Sequence, residues 1–234
     1  MTKKHGFPRR LKLEWLNKTV ELIIEGKDES AIKNELDNYL GFEIDSKTNL
    51  VKTRGMLLNI WVNVPENALK IKEIAIEQYH AENSDKTLIH WCMILLAYPV
   101  FNDAAGLIGK IALMQDHFST RWLKQKIFDL WGDKTTLEYS ISRITNTMVE
   151  LSVLERVKQG NYIICRKNIQ KVNETVLIAM TIIALKSKAY YEVSEMSNVP
   201  AMFPFNYNIS HQLLHESDAF SLNNFGGKVV VSGE

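Results

Sequence analysis

A chain of 234 residues, 46% of them hydrophobic, can bury a substantial core, which excludes a disordered or fibrous protein and predicts one or two domains. With 28 basic and 27 acidic residues the formal charge is +1, so no global field draws a polyanion to it, and any nucleic-acid contact has to come from local patches. The two cysteines, Cys92 and Cys165, lie far apart in apolar surroundings, which excludes a disulfide framework and points to a reducing cytoplasm.

The chain opens with MTKKHGFPRR, where Lys3, Lys4, Arg9, Arg10 and Lys12 have no compensating acid. No apolar stretch follows, so the segment does not read as a secretory signal. It reads either as a disordered arm that reaches phosphates or as a frayed, solvated tail. Helical periodicity starts at Leu11 and runs to Glu25, with Leu13, Leu16, Val20, Ile23 and Ile24 on one stripe and Gly26 as the stop. Further helices are predicted over Asp28 to Leu40, Ser46 to Val62, Glu66 to Tyr79 behind Pro65, and Lys86 to Ala97, where Pro99 ends the run. Residues 1–98 are therefore expected to be a helical bundle with a basic amino-terminal arm.

Residues 99–172 carry the most informative pattern. A helix over Asn102 to Gln115 meets a corner at Asp116-His117-Phe118, and a short helix follows over Thr120 to Leu130, with Ser119 as N-cap and Trp131-Gly132-Asp133 closing it. The stretch TTLEYSISRITNTMVEL places Leu137, Ile141, Ile144, Met148 and Leu151 at steps of three and four, and Thr135 with Glu138 fits a capping box. Its polar face carries Tyr139, Ser140, Arg143, Asn146 and Thr147. Val153 to Val157 and Tyr162 to Ile164 then read as two strands around a Lys158-Gln159-Gly160-Asn161 turn. Helices followed by a hairpin in this order predict a winged helix-turn-helix.

Such a unit binds DNA when the second helix of the pair enters the major groove. Arg143 suits guanine and Asn146 suits adenine, while Tyr139, Ser140 and Thr147 share the face. Arg156, Lys158, Arg166, Lys167 and Lys171 lie in a run without acids that is able to follow a phosphate backbone, with Asn161 in its turn. Glu138 and Glu150 on or near the helix face oppose this. Winged helices also serve as dimerisation or docking modules, so the fold alone does not decide the function.

After residue 172 a helix is predicted from Asn173 to Tyr190, apolar nearly all round and therefore buried. Beyond it the tail turns irregular. Pro200-Ala201-Met202-Phe203-Pro204-Phe205 cannot be helical, and its phenylalanines are expected to pack on the core. Ile209 to Glu216 reads as a short helix, and Lys228 to Ser232, after Gly226-Gly227, as an edge strand that pairs with the wing.

Catalytic constellations are scarce. His211 and His215 stand one turn apart in HQLLH, but Gln212 occupies the place of a general-base glutamate and no third ligand follows. Gly106-Leu107-Ile108-Gly109-Lys110 has the wrong spacing for a phosphate loop and reads as a small-residue helix contact. His90 inside LIHWCMILL reads as a core histidine. Leu88 to Phe101 is interrupted by His90 and Pro99, and Val176 to Leu185 is about half the length of a membrane span. No enzyme, metal or cofactor is expected.

The order of LLAYPVFNDAAGLIGK, a short helix, TTLEYSISRITNTMVELSVLE and a wing, over about Leu88 to Tyr162, resembles the BrxA proteins of bacterial BREX phage-defence systems. The chain departs from them in its longer tail after Asn173. The resemblance implies double-stranded DNA binding in the service of defence, with other proteins of such a system as further partners, and brings no catalytic residue. Together these readings predict a mainly α protein: a helical bundle packed on a winged helix-turn-helix with a small β-hairpin, plus a carboxy-terminal helix and irregular tail. A non-enzymatic DNA-binding role leads. The alternative is a protein-interaction scaffold in which the same helix or the FPF tail docks a partner. No heptad obliges a particular oligomeric state.

Overall fold

The computed structural model describes residues 6–186, 188, 190–225 and 228–233. Its amino-terminal half is helical: α1 (Leu13–Ile24), α2 (Glu29–Gly41), α3 (Lys47–Trp61), α4 (Leu69–His80) and α5 (Lys86–Ala97). Asp28, Ser46 and Asp85 each accept a hydrogen bond from the N–H three residues on, so side-chain caps set the starts of α2, α3 and α5. Gly26, at φ +73°, closes α1. Only Glu66–Ala68, expected as α-helix, winds instead into a 3-10 turn ahead of α4.

A single residue, Tyr98, separates α5 from α6 (Pro99–Ala112), and the two axes bend by 118°. Pro99 therefore opens one helix as well as stopping another, since the first turn has no use for its missing N–H. No single helix among the described residues is long and apolar enough to cross a membrane. The chain continues through β1 (His117–Ser119), α7 (Thr120–Trp131), α8 (Thr135–Glu150), β2 (Leu154–Lys158) and β3 (Asn161–Ile164). These strands form one antiparallel sheet in the order β1–β3–β2, with Phe118 and Arg156 on either side of Tyr162. The expected corner at 116–118 is thus a strand from His117 onward, held by stacking of Phe118 on Tyr162 at 5.6 Å.

The remainder comprises β4 (Lys167–Asn168), α9 (Val172–Lys186), β5 (Tyr191–Glu192), α10 (Val193–Met196), β6 (Phe205–Asn206), α11 (His211–His215), β7 (Phe220–Phe225) and β8 (Lys228–Gly233). The tail is more regular than its sequence suggests. β4 pairs with β6 in parallel, and β8 is the middle strand between β5 and β7. β8 therefore pairs with its own neighbours and not with the wing; Gly226 and Gly227 lie outside the described residues.

One continuous apolar core runs through all three segments. Trp91 of α5 is its hub: the indole donates to Ala201 O at 3.0 Å and meets Phe101, Phe203 and Phe205 edge-on at 5.1, 5.5 and 6.0 Å. Pro200–Met202 forms a 3-10 turn, so this stretch is briefly helical after all, and it packs on α6 at Gly109. A Cβ at that glycine would lie 1.8 Å from Pro200 O, which only a residue without a side chain permits.

Candidate nucleic-acid interface

Helix α8 is fixed from below by its apolar stripe, since Leu137, Ile141, Ile144, Met148 and Leu151 are all buried. The expected capping box does not form. The helix starts behind Lys134 without a side-chain cap, and Glu138 pairs instead with Lys124 Nζ of α7 at 2.6 Å. At the other end Ser152 takes φ +57°, and Val153 N–H donates to Met148 O at 3.0 Å while Ser152 N–H donates to Val149 O at 2.9 Å. That pair of bonds is a Schellman closure built on serine, and it turns the chain directly into β2.

The polar face predicted for α8 splits in two. Tyr139 is exposed, and Arg143 and Asn146 are half-exposed. Ser140 and Thr147 are 1% and 0% exposed, and their hydroxyls accept the backbone N–H groups of Phe7 and Leu11, each at 2.9 Å. These two residues therefore do not face a ligand; they hold residues 6–12 along the helix, with Phe7 and Leu11 fully buried beside them. Their spacing of seven puts them on one line of the helix, and the arm bends at Arg9 between the two residues they hold. The arm is neither disordered nor a frayed tail from Gly6 onward. Lys3 and Lys4 lie outside the described residues.

The exposed face is cationic. Arg143 lies over the ring of Tyr139 at 5.6 Å and meets no carboxylate among the described residues. Burial, and next the charge of Arg9, lower its pKa from the usual arginine value. Arg156 reaches across from β2 to donate to Asn146 Oδ1 and covers the Tyr162 ring at 5.8 Å. Between helix and hairpin lies an open groove of about 570 Å³, lined by Thr120, Ser142, Asn146, Arg156, Gln159 and Gly160. Gly160, at φ +75°, makes the β2–β3 turn, and its carbonyl accepts Thr120 N–H at 2.8 Å, which ties the turn to the start of α7. Lys158 is exposed beside this turn, after a bulge at Val157, and Asn161 donates to Gln159 O at 3.2 Å.

Both carboxylates that oppose phosphate are neutralised, Glu138 by Lys124 and Glu150 by Arg10 at 3.1 Å. The basic run after Arg156, by contrast, does not form one stripe. Arg166 caps the end of α6, donating to Ala112 O and Asp116 Oδ1 at 2.7 Å each. Lys167 is bound to Asp85 and Thr87, and Lys171 donates to Glu82 O at 2.8 Å. Arg166 and Lys167 are thus structural ties between the sheet region and the bundle, a correction to their expected place on DNA.

Of the seven arginines, Arg10, Arg54 and Arg166 pair with carboxylates. The four that do not, among the described residues, are Arg9 of the arm, Arg121 at the start of α7, Arg143 of α8 and Arg156 of β2. Arg9 donates one N–H to Asn49 Oδ1 and one to Pro8 O, of the five its guanidinium carries. Sequence reading missed Arg9 as a fixed member of this face and did not single out Arg121, Ser142 or Gln159; Ser142 and Gln159 come together in the groove only once the hairpin folds against the helix.

Among the described residues the histidines offer no comparable site. His90 is fully buried against Trp61 and Tyr79, its Nε2 lies 2.9 Å from Asn17 Oδ1, and burial with the nearby Lys86 holds its pKa down at about 3. His211 and His215 flank α11, and among the described residues no group of three His, Cys, Asp or Glu is placed to hold a metal ion. Comparison of the chain with known protein families, curated proteins and solved structures returns no match.

Proposed function

We propose that the protein binds double-stranded DNA through the exposed face of α8 and the β2–β3 turn, and that α6 through β3 constitute a winged helix-turn-helix. The observation that carries this reading is the gathering of Arg9, Arg143 and Arg156, none paired with a carboxylate among the described residues, about one helix whose own acids are neutralised. The connectivity supports it: helix, strand, helix, helix, hairpin with strand order β1–β3–β2 is what a winged helix requires. In this reading Arg143 and Asn146 meet base edges, and Arg121, Arg156 and Lys158 meet phosphates. The resemblance to BrxA proteins extends the proposal to a role in phage defence alongside other proteins of such a system.

The protein-docking alternative loses one of its two surfaces, because Phe203 and Phe205 are buried against Trp91. Fluorescence anisotropy with a labelled duplex tests the proposal. Arg143→Ala and Lys158→Ala should each weaken binding by about 1–3 kcal/mol or flatten its salt dependence by about one unit. Unchanged affinity and salt slope in both variants would refute this assignment of residues.

A further inference from the structure

The amino-terminal segment is the least expected part of the interface. It crosses from α8 to α3: Phe7 N–H and Leu11 N–H are held by Ser140 and Thr147, while Arg9 between them donates to Asn49 of α3. Beside Gly6 and Pro8 an open groove of about 400 Å³ continues onto α3, where Lys52 lines it together with Gly55 and Asn59. Lys52 is exposed and has no carboxylate partner among the described residues. Arg143, next to this arm, makes no hydrogen bond among the described residues, so its five guanidinium donors remain available.

Holding Arg9 close to Arg143 is unfavourable in the free protein, because like charges repel and both are partly removed from water. The cost is borne by a rigid device: two buried hydroxyls and two fully buried side chains, Phe7 and Leu11, fix the arm in place. A phosphate beside the arm would offset that repulsion, and a planar guanidinium matches phosphate oxygens in pairs.

We infer that the arm and α3 extend the interface beyond the winged unit: Arg9, held at Asn49 of α3, takes one backbone phosphodiester, and Lys52, one turn further along α3, takes another along the groove. The inference rests on the DNA-binding reading of α8. It makes Ser140 and Thr147 positioning residues, which set where Arg9 stands without touching the ligand. It also makes the bound duplex longer than a winged helix alone would cover.

Three variants of the full chain test it by anisotropy with a random duplex across a salt series. Arg9→Gln with Lys52→Gln removes two phosphate contacts, so the log–log salt slope should flatten by about 2 and affinity at physiological salt fall roughly 10- to 30-fold. Lys33→Gln, which removes a cation paired with Glu29 on α2, should leave the slope unchanged. Thr147→Val keeps every charge but removes one of the two hydroxyls that hold the arm, and affinity should fall several-fold with the fold intact by circular dichroism; unchanged affinity would overturn the positioning role of Thr147. If the wild type binds but the double variant retains its slope and affinity, the inference is wrong while the reading of α8 stands. If the wild type binds at no salt concentration, the reading of α8 falls and takes the inference with it.

Discussion

The hydroxyl of Thr147 accepts the backbone N–H of Leu11 at 2.9 Å, with both groups fully removed from water. A side chain that its sequence position assigns to a DNA-facing surface thus anchors the amino terminus of the chain. Thr147→Val preserves shape but strands a buried N–H, so we expect about 1–3 kcal/mol of destabilisation, measured by urea unfolding. Thr147→Ser, which keeps the hydroxyl, should recover most of it.

Gly109→Ala should be far more damaging than a helix propensity scale suggests. Alanine favours helix over glycine by about 1 kcal/mol, yet its Cβ would sit 1.8 Å from Pro200 O, a backbone atom with little room to yield. Steric displacement wins, and we expect a net loss of about 1–3 kcal/mol or more, visible as a lowered Tm. Gly106→Ala, on the same helix and with open space around its Cβ position, should stabilise.

Ser152→Gly is expected to stabilise the protein. The residue occupies the left-handed position of the α8 closure at φ +57°, where an L side chain costs about 1–2 kcal/mol and glycine does not. Part of that gain is offset by the greater freedom of glycine in the unfolded chain, leaving about 0.5–1 kcal/mol. A Tm unchanged or lowered would show that the serine side chain contributes something its backbone does not.

His90 should make stability depend on acid. Its folded pKa of about 3 lies below the ordinary 6.5 because burial and Lys86 disfavour the cation. The unfolded chain therefore binds a proton between these values and the folded chain does not, so stability is complete above about pH 6.5 and is lost as pH falls toward 3. His90→Gln, unable to titrate, should show a shallower fall in Tm between pH 6.5 and 4 than the wild type. Equal slopes would remove His90 as the cause.

The thiols should differ in reactivity. Cys92 is fully buried and its pKa is pushed up to about 12 by desolvation, whereas Cys165 is partly exposed. A thiol-disulfide reagent should modify Cys165 alone in the folded protein and both cysteines in denaturant. Rapid reaction of two thiols under native conditions would contradict the core as described.

Much of this architecture is written locally. The stripe from Leu137 to Leu151, the cap at Ser119 and the stop at Gly132 depend on near neighbours, and the structure places them as periodicity and turn chemistry predict. What escaped is what depends on distant partners. His117–Ser119 is too short to carry a period and becomes a strand because β3 lies beside it. β8 pairs with β5 and β7, a choice between edges that a single strand cannot reveal. In the site, Arg143 and Asn146 were legible from residue type and helix face. Ser140 and Thr147 sit at the margin of the buried stripe, where a short hydroxyl fits either side, and the arm decides. Arg166 and Lys167 have the right charge, but they are taken by acceptors at the end of α6 and the start of α5, Ala112 O and Thr87 Oγ1 among them.

The most direct measurement is the salt dependence of wild-type binding to a random duplex, by fluorescence anisotropy between about 50 and 200 mM salt. With phosphate contacts from Arg9, Lys52, Arg121, Arg156 and Lys158, we expect log affinity to fall against log salt with a slope of about −4 to −5. No binding at the lowest salt, or binding indifferent to salt, would contradict the proposal that this face of α8 reads DNA.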